Sequence, residues 1–408
     1  MRAVVVGAAV GGVRAAKGLR SAGWEGEVVL VGEEEHLPYD RPPLSKALLA
    51  GTSAVEDVGL LTREAADEAG IELRLGVSAE GLDLDAGQLL LASHEGGEHG
   101  ERLGYDELVI ATGAAARPSP WGTARGVHLL RTLDDSRALR ADLVADAAAG
   151  GHLVVVGSGF IGAEVAATAR GLGVAVTMVD PVEVPLSRLL GPEMGRVLGD
   201  LHTRQGVTTR FGVGVDDITG ERPDLRVALD DGTVLEASTV VVGIGAAPRT
   251  DWLDDTAGLT IDDGLLCDEY GRVEGADHVW ALGDVARWHH PRHGEPRRVE
   301  HWSNAGEQAR VVAHNITHPD ELRTHAPVEY VWSDQYDWKV QIVGEPGGEP
   351  TFVGDPATDT RFAAVYGDGA ITGAVVVNWP KAVLAARRGL PKGLSVQELT
   401  ETLAAESG

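Results

Sequence analysis

The sequence contains a single cysteine, Cys267, among its 408 residues. One thiol excludes an intramolecular disulfide and any zinc or iron–sulfur site built from several thiolates of one chain. Cys267 lies in a Leu-Leu-Cys-Asp run that predicts a strand, and we expect the thiol to be unreactive. The 14 histidines show no spacing typical of metal ligands, so no metal site is predicted.

Long apolar runs and basic residues are also scarce. No stretch approaches the roughly 20 unbroken apolar residues that a membrane helix needs. The apolar run near the N-terminus is interrupted by Gly7 and Gly11, which is not typical of a secretory signal. The net charge is −27, which argues against nucleic-acid binding because that requires basic residues to neutralise phosphates. We therefore expect a soluble, cytoplasmic protein that binds neither membranes nor nucleic acid.

Two glycine-rich motifs of the same kind are present. Each follows an apolar run that predicts a strand, and each precedes an alanine-rich run that predicts a helix. Such glycines permit a tight turn and a close approach to a pyrophosphate, whose charge is favoured at the N-terminus of the helix. The positions are Gly7 and Gly12 in the first motif, with Ala9 in place of the middle glycine, and Gly157, Gly159 and Gly162 in the second.

An acidic residue ends the next apolar run after each motif. These are Glu33 and Asp180, and a carboxylate at this place accepts hydrogen bonds from ribose hydroxyls. Asp180 favours NAD over NADP because it repels a 2′-phosphate, although Arg188 is close enough in sequence to reach such a phosphate. Two motifs predict two bound dinucleotides, and a flavin with a nicotinamide is the natural pair because one passes a hydride to the other.

The pattern of elements predicts the fold class. We expect an α/β protein with two Rossmann-like dinucleotide-binding domains, as in glutathione reductase, followed by a C-terminal α+β domain. The last domain is predicted from strand-like runs at 328–332, 339–343, 362–366 and 371–378, then a helix at 381–389 and a polar C-terminus. The predicted boundaries are 1–113 with 247–325 for a discontinuous FAD-binding domain, 114–246 for an NAD(H)-binding domain, and 326–408 for a C-terminal interface domain.

Longer motifs identify a family. They are PYDRPPLSK at 38–46, ATG at 111–113, GSGFIGAE at 157–164, GIGAAP at 243–248, ALGD at 281–284, EHWSNAGEQA at 300–309 and WSDQYDWKVQIVG at 332–344. With them the chain resembles the FAD-containing, NADH-dependent ferredoxin reductases of bacterial oxygenase systems, of the putidaredoxin reductase, rubredoxin reductase and aromatic dioxygenase reductase type. The resemblance implies hydride transfer from NADH to FAD. Single electrons then pass to a small iron–sulfur ferredoxin, of the [2Fe–2S] type, that feeds a cytochrome P450 or a Rieske-type oxygenase.

The resemblance also implies roles for individual residues. Lys46, Glu164, Trp302 and Trp332 are the implied catalytic residues: Lys46 near flavin N5, the tryptophans beside the isoalloxazine, and Glu164 at the nicotinamide. Further cofactor contacts implied by the same motifs are Arg41, Ala111, Thr112, Gly113, Ile161, Gly245, Gly283, Asp284, Glu300 and His301. Ala9 stands where the first motif usually has its middle glycine. This departure puts the affinity for FAD in question, but not the identity of the cofactor as FAD.

Structural roles remain open for several of these residues. Glu33 and Asp180 are also typical of solvated strand ends, and Lys46 of an ordinary helix. A carboxylate such as Glu164 near a helix N-terminus stabilises the helix dipole without any ligand. Trp332 is also compatible with a core position.

Other members of this two-dinucleotide class use cysteine chemistry, and the segment around Lys46 contains none. Electrons therefore leave the flavin for dioxygen, a quinone or a one-electron carrier, and an acidic C-terminus disfavours a membrane quinone. An NADH oxidase and a redox-sensing flavoprotein resembling apoptosis-inducing factor remain the alternatives.

A ferredoxin is usually acidic, so docking needs a local basic face. The candidates are Arg287, Arg298 and Arg310 in one segment and Lys381, Arg387 and Arg388 in another.

Overall fold

The computed structural model describes residues 1–93 and 100–407. The packing divides the chain into two compact units, each assembled from three separate segments. The first unit contains Met1–Asp40, Val55–Ala115 and Ala246–Pro327; the second contains Arg41–Ala54, Ala116–Gly245 and Val328–Gly408. The prediction of three domains is a finer division and stays a prediction.

A five-stranded parallel sheet forms the centre of the first unit. In spatial order its strands are Val279–Ala281, Glu107–Ile110, Arg2–Val6, Glu27–Gly32 and Ile71–Leu75. The apolar side chains of the first four strands are buried on both faces, as expected for a parallel sheet covered by helices. The helices of this unit are Val10–Ser21, Arg63–Glu68 and Trp302–Thr317. The first and last of these pack closely, since a Cβ added to Gly18 would lie 2.9 Å from the Ala313 Cβ.

Smaller elements complete the first unit. One three-stranded antiparallel sheet contains Val77–Asp83, Gln88–Ser93 and Glu101–Gly104, and another three-stranded sheet contains Leu265–Cys267, Ala286–His290 and Glu295–Arg297. Single turns of 3₁₀ helix occur at Glu56–Val58, Asp251–Leu253 and Gly283–Val285. Cys267 is fully buried on its predicted strand, and burial raises the pKa of its thiol well above the usual range. Both observations support the expectation that this thiol is unreactive.

The second unit repeats the parallel architecture. Its five-stranded sheet has the order Thr208–Phe211, Ala175–Asp180, His152–Val156, Thr239–Val242 and Val127–His128. The helices are Ala47–Ala50, Leu133–Ala149, Phe160–Gly171 and Ser187–Arg204, with a 3₁₀ turn at Pro42–Ser45 and an antiparallel sheet of Val215–Thr219, Leu225–Leu229 and Val234–Ala237. Leu133–Ala149 begins with a capping box of Thr132 and Asp135 and ends at Gly150 in the left-handed region. Two short strands, Ala114–Ala116 and Ala246–Pro248, lie where the chain passes between the units.

The C-terminal segment adds an antiparallel sheet to the second unit. Its strands are Tyr330–Gln335, Trp338–Gly344, Ala370–Val377, Phe362–Asp368 and Thr351–Val353, followed by Pro380–Gly389, the 3₁₀ turn Leu390–Lys392 and Val396–Ser407. Alternating side chains face two cores. Val343 and Val376 pack with the two C-terminal helices, whereas Ile342 and Val375 pack with the helix Ser187–Arg204.

A partly buried hydrogen bond joins the helix Ser187–Arg204 to the turn between the strands Tyr330–Gln335 and Trp338–Gly344. His202 Nδ1 lies 2.8 Å from the Tyr336 hydroxyl oxygen. Burial lowers the pKa of His202 to about 4, so the imidazole is neutral near pH 7.

The predicted fold class of two Rossmann-like domains with an α+β C-terminal segment is confirmed. Among the described residues, no helix is long and apolar enough to span a membrane.

Candidate functional site

The first glycine-rich turn lies between the strand Arg2–Val6 and the helix Val10–Ser21. Gly7 has φ +108°, and a Cβ there would lie 2.2 Å from the Ala111 carbonyl oxygen. A Cβ on Gly12 would lie 1.8 Å from the Gly7 carbonyl oxygen. The protein's own backbone therefore requires both glycines, one for its conformation and one for close packing of helix on strand.

The second turn has the same construction within the second unit. Gly157 has φ +100°, and a Cβ on Gly162 would lie 2.1 Å from the Gly157 carbonyl oxygen. Gly159 differs because its φ is −68° and, within the described residues, no heavy atom lies within 4 Å of a Cβ built there. Neither conformation nor packing explains this glycine. The open position leaves space beside the backbone, as expected for the middle glycine of such a motif.

Both strand-end acids are already held by neighbouring groups. Glu33 forms an ion pair with Arg249, with 2.8 Å between Oε1 and Nη2. Asp180 Oδ2 accepts hydrogen bonds from the Ser158 amide and hydroxyl, both at 2.7 Å, and Oδ1 accepts from the Val182 amide at 2.8 Å. Ser158 therefore ties the acid to the glycine-rich turn. The sequence predicted the two acids, but it did not indicate Arg249 as the partner of Glu33 or Ser158 as the partner of Asp180.

A buried polar cluster surrounds Glu164, whose side chain is only 3% exposed. Its Oε2 lies 2.8 Å from Lys46 Nζ and accepts a hydrogen bond from the Ser45 hydroxyl at 2.5 Å. Its Oε1 accepts a hydrogen bond from the Ser333 hydroxyl at 2.8 Å. The structure thus brings together Lys46 and Glu164, which were predicted separately, and adds two serines that the sequence reasoning missed. Ser45 lies inside the PYDRPPLSK motif and Ser333 inside the WSDQYDWKVQIVG motif. Their place in these motifs was the one sequence feature that could have indicated a role at the site.

The two predicted tryptophans lie in different units and have different surroundings. Trp302 begins a helix of the first unit, and its Nε1 donates to Asp40 Oδ1 at 2.5 Å. The Arg14 guanidinium carbon lies 4.3 Å from the centre of the same indole. Trp332 lies on a strand of the second unit, with its ring 6.1 Å from that of Tyr330 and nearly parallel to it. Trp332 is only partly buried, so it is not a core residue of that sheet.

The other predicted residues of the first unit lie around the sheet that carries the first turn. Ala111 N donates to Val6 O at 2.7 Å, Thr112 Oγ1 donates to Arg249 O at 3.0 Å, and Gly113 has φ +70°. Gly283 N donates to Gln308 Oε1 at 2.7 Å, which fixes the 3₁₀ turn that contains Asp284. Glu300 is paired with Arg298, and His301 is the residue before the helix Trp302–Thr317.

The remaining predicted residues belong to the second unit. Arg41 Nη1 donates to Arg131 O at 3.2 Å, next to the start of Leu133–Ala149. Ile161 is exposed in the first turn of the helix Phe160–Gly171, beside Gly159. Gly245 has φ +104°, and Arg188 is exposed near the start of Ser187–Arg204.

The two predicted basic segments differ in whether their charged side chains form ion pairs. Arg287 is paired with Asp262, and Arg298, which is 11% exposed, is paired with Asp263 and Glu300. On the helix Pro380–Gly389, by contrast, Lys381 and Arg388 are exposed and form no ion pair among the described residues. Arg387 lies over the Tyr330 ring, 4.9 Å from its centre.

Comparison with known proteins gives a consistent result. Residues 1–309 match the family described as pyridine nucleotide-disulphide oxidoreductase, and residues 330–405 match the reductase C-terminal family. The chain is 37% identical to putidaredoxin reductase CamA of Pseudomonas putida over 84% of this chain and 79% of that protein. It is 36% identical to the ferredoxin–NAD(+) reductase component of the p-cumate 2,3-dioxygenase system of Pseudomonas putida, over 96% of this chain and 94% of that protein.

A solved structure of a covalent putidaredoxin reductase–putidaredoxin complex is also similar. It matches with a TM-score of 0.89 and 32% identity, over 98% of this chain and 95% of that one. Sequence identity above 30% and a family match across most of the chain agree with the two glycine-rich turns described above. The chain therefore belongs to the pyridine nucleotide-disulphide oxidoreductase family and carries the reductase C-terminal domain.

Proposed function

We propose that this protein is an NADH-dependent, FAD-containing ferredoxin reductase. Its acceptor would be an iron–sulfur ferredoxin, of the [2Fe–2S] type, that serves a cytochrome P450 or a Rieske-type oxygenase. The observation that carries the proposal is the presence of two dinucleotide turns in a chain whose one thiol is fully buried. The relatives named as reductases of putidaredoxin and of dioxygenase ferredoxins support the same acceptor class.

The residues present fit the two dinucleotides. We assign FAD to residues 1–113 and 247–325 and NADH to residues 114–246. The open position at Gly159 and the amides at the start of Phe160–Gly171 suit a pyrophosphate, and Asp180 Oδ1 retains acceptor capacity for a ribose hydroxyl. Bound FAD would accept a hydride from NADH and release the two electrons one at a time. The carboxylate of Asp180 favours NADH over NADPH because no cation is paired with it among the described residues.

The Glu164 cluster supports assigned roles for two charged side chains. Lys46 supplies a fixed positive charge, which would stabilise negative charge on a reduced flavin. Glu164 uses both oxygens to hold Lys46, Ser45 and Ser333, so the cation has one orientation. From the resemblance we retain Trp302 and Trp332 as flavin contacts. Asp40 and Arg14 would fix the orientation of the Trp302 indole.

A matched pair of substitutions tests the two turns. Ala9→Gly is expected to lower the Kd for FAD several-fold, because the methyl group of Ala9 occupies the place that Gly159 leaves open. Gly159→Ala is expected to raise the Kd for NADH about tenfold with unchanged folding, since no protein atom opposes its Cβ. Flavin fluorescence and NADH titration measure the two constants. An unchanged NADH affinity in Gly159→Ala would show that the open position does not face the ligand.

For docking we propose the basic helix surface, which we define as Lys381, Leu384, Arg387, Arg388 and Lys392. It carries no acidic residue in a chain of net charge −27, and Leu384 is 48% exposed within it. Its side chains form no ion pairs among the described residues, unlike Arg287 and Arg298. An acidic ferredoxin would therefore be attracted to this surface despite the overall charge of the protein.

Arg388→Glu is expected to lower ferredoxin-dependent cytochrome c reduction about tenfold while ferricyanide reduction stays within about twofold. The matched control is Arg226→Glu, because Arg226 is also exposed, forms no ion pair within the described part of the chain, and lies on the strand Leu225–Leu229. Both changes alter the net charge equally, so a general electrostatic effect would appear in both variants. Equal loss of both activities in Arg388→Glu would exclude this surface from docking.

The first test of the whole proposal is steady-state NADH oxidation by the FAD-loaded protein, with and without a [2Fe–2S] ferredoxin coupled to cytochrome c. Strong ferredoxin-dependent cytochrome reduction with little oxygen uptake is expected. Rapid oxygen uptake at a rate that does not change when ferredoxin is added would instead establish an NADH oxidase. A persistent long-wavelength charge-transfer band with slow turnover would establish a redox-sensing flavoprotein.

A further inference from the structure

Arg249 connects three parts of the first unit. Its amide donates to the Gly113 carbonyl oxygen at 2.9 Å, and its carbonyl oxygen accepts from the Thr112 hydroxyl at 3.0 Å. Its side chain is paired with Glu33, which follows the strand Glu27–Gly32. The backbone of Arg249 is thus fixed against the 111–113 turn, and its guanidinium is directed to the strand-end acid.

The pair leaves half of the carboxylate available. Arg249 Nη2 contacts Glu33 Oε1, and among the described residues Glu33 Oε2 accepts no hydrogen bond. The two side chains are 43% and 44% exposed, so water screens the pair and it adds little to stability. A contribution of the ion pair to folding therefore does not explain why an arginine occupies position 249.

We propose that Arg249 is a positioning residue for FAD: it holds Glu33 so that Oε2 accepts a hydrogen bond from the adenosine ribose, and it offsets the charge of the carboxylate next to the pyrophosphate. The inference rests on the proposed function, because it requires FAD in the first unit. Without Arg249, Glu33 would be a flexible acid beside a doubly charged pyrophosphate in a protein of net charge −27. A guanidinium suits the role because its planar fork holds a carboxylate oxygen while other N–H groups remain for a phosphate or hydroxyl.

The test titrates apoprotein with FAD and follows quenching of flavin fluorescence. Arg249→Met is expected to raise the Kd for FAD about tenfold, and Arg249→Lys less, while the melting temperature of the apoprotein and the Kd for NADH stay unchanged. The two backbone hydrogen bonds of residue 249 persist in both variants, so folding is preserved. Arg272→Met is the control, because Arg272 forms a comparable exposed pair with Asp268 in the same unit.

Two further readouts separate positioning from a general effect. The wild-type protein should bind FAD more tightly than an FAD analogue that lacks the adenosine 2′-hydroxyl, and Arg249→Met should lose most of that discrimination. In a Glu33→Gln background, Arg249→Met should change the Kd for FAD less than twofold. Additive losses, or discrimination that persists in Arg249→Met, would overturn the positioning role.

The outcomes also separate this inference from the proposed function. If the wild-type protein binds FAD tightly and Arg249→Met binds it equally well, Arg249 has no such role and the reductase proposal is unaffected. If the wild-type apoprotein does not bind FAD, both proposals fail.

Discussion

Gly12→Ala is expected to yield protein with less than a tenth of the wild-type FAD content. The new Cβ would lie 1.8 Å from the Gly7 carbonyl oxygen, and the backbone fixes the positions of both atoms, so no flexible side chain can move aside. The helix Val10–Ser21 must then shift away from its strand, and its N-terminal amides shift with it. Absorbance of the purified protein at flavin and protein wavelengths measures the ratio directly.

The equivalent change in the second unit serves as the internal comparison. Gly162→Ala would place its Cβ 2.1 Å from the Gly157 carbonyl oxygen, so the protein should keep FAD but lose at least tenfold in affinity for NADH. Gly171→Ala, at an exposed helix position with no described atom within 4 Å of its Cβ, should leave both cofactors bound. Full flavin content in Gly12→Ala would contradict the assignment of the first turn to FAD.

Lys46→Met is expected to slow flavin reduction by NADH about a hundredfold, the scale typical of removing one preorganised electrostatic group. It should also destabilise the protein by about 3 kcal/mol, because Glu164 is left as a buried charge without its cation. Anaerobic stopped-flow absorbance measures the first effect and urea unfolding the second. Lys17→Met is the control, since Lys17 is exposed and its Nζ donates to the Leu60 carbonyl oxygen rather than to a buried carboxylate.

A double variant distinguishes the two effects. Lys46→Met with Glu164→Gln replaces the ion pair by neutral groups of similar size, which should recover most of the lost stability. Flavin reduction should remain slow, because the positive charge is still missing. Recovery of both stability and rate would show that Lys46 has only a structural role.

The parts of the site that the sequence predicted depend on local rules. The glycines of the two turns, and the acids that end the following strands, recur at fixed spacing because one strand–turn–helix unit imposes them. Gly7 and Gly157, for example, both have φ near +100°. Four of the five C-terminal strands were also predicted to within a few residues, because short apolar runs between Gly and Pro turns mark strands of a buried sheet.

The missed features depend on contacts between distant residues. Ser45 and Ser333 reach Glu164 across 119 and 169 residues, and Arg249 reaches Glu33 across 216, so no local pattern reports them. The helix Val396–Ser407 was expected only as a polar C-terminus. Of its side chains whose burial is described, Leu399 and Leu403 alone are buried, too few for a clear apolar stripe, although Ser395 and Glu398 form hydrogen bonds typical of a helix start.

The interleaved course of the chain has a consequence for its synthesis. The segments of the first unit are complete once Pro327 has been made, whereas the second unit lacks its last segment, Val328–Gly408, at that time. At about 5–20 residues per second, translating that segment takes roughly 4–16 s. During this interval Glu164 has Ser45 and Lys46 but not the hydroxyl of Ser333. A nascent chain thus possesses the first glycine-rich turn, Glu33 and Arg249 several seconds before the second unit can be completed.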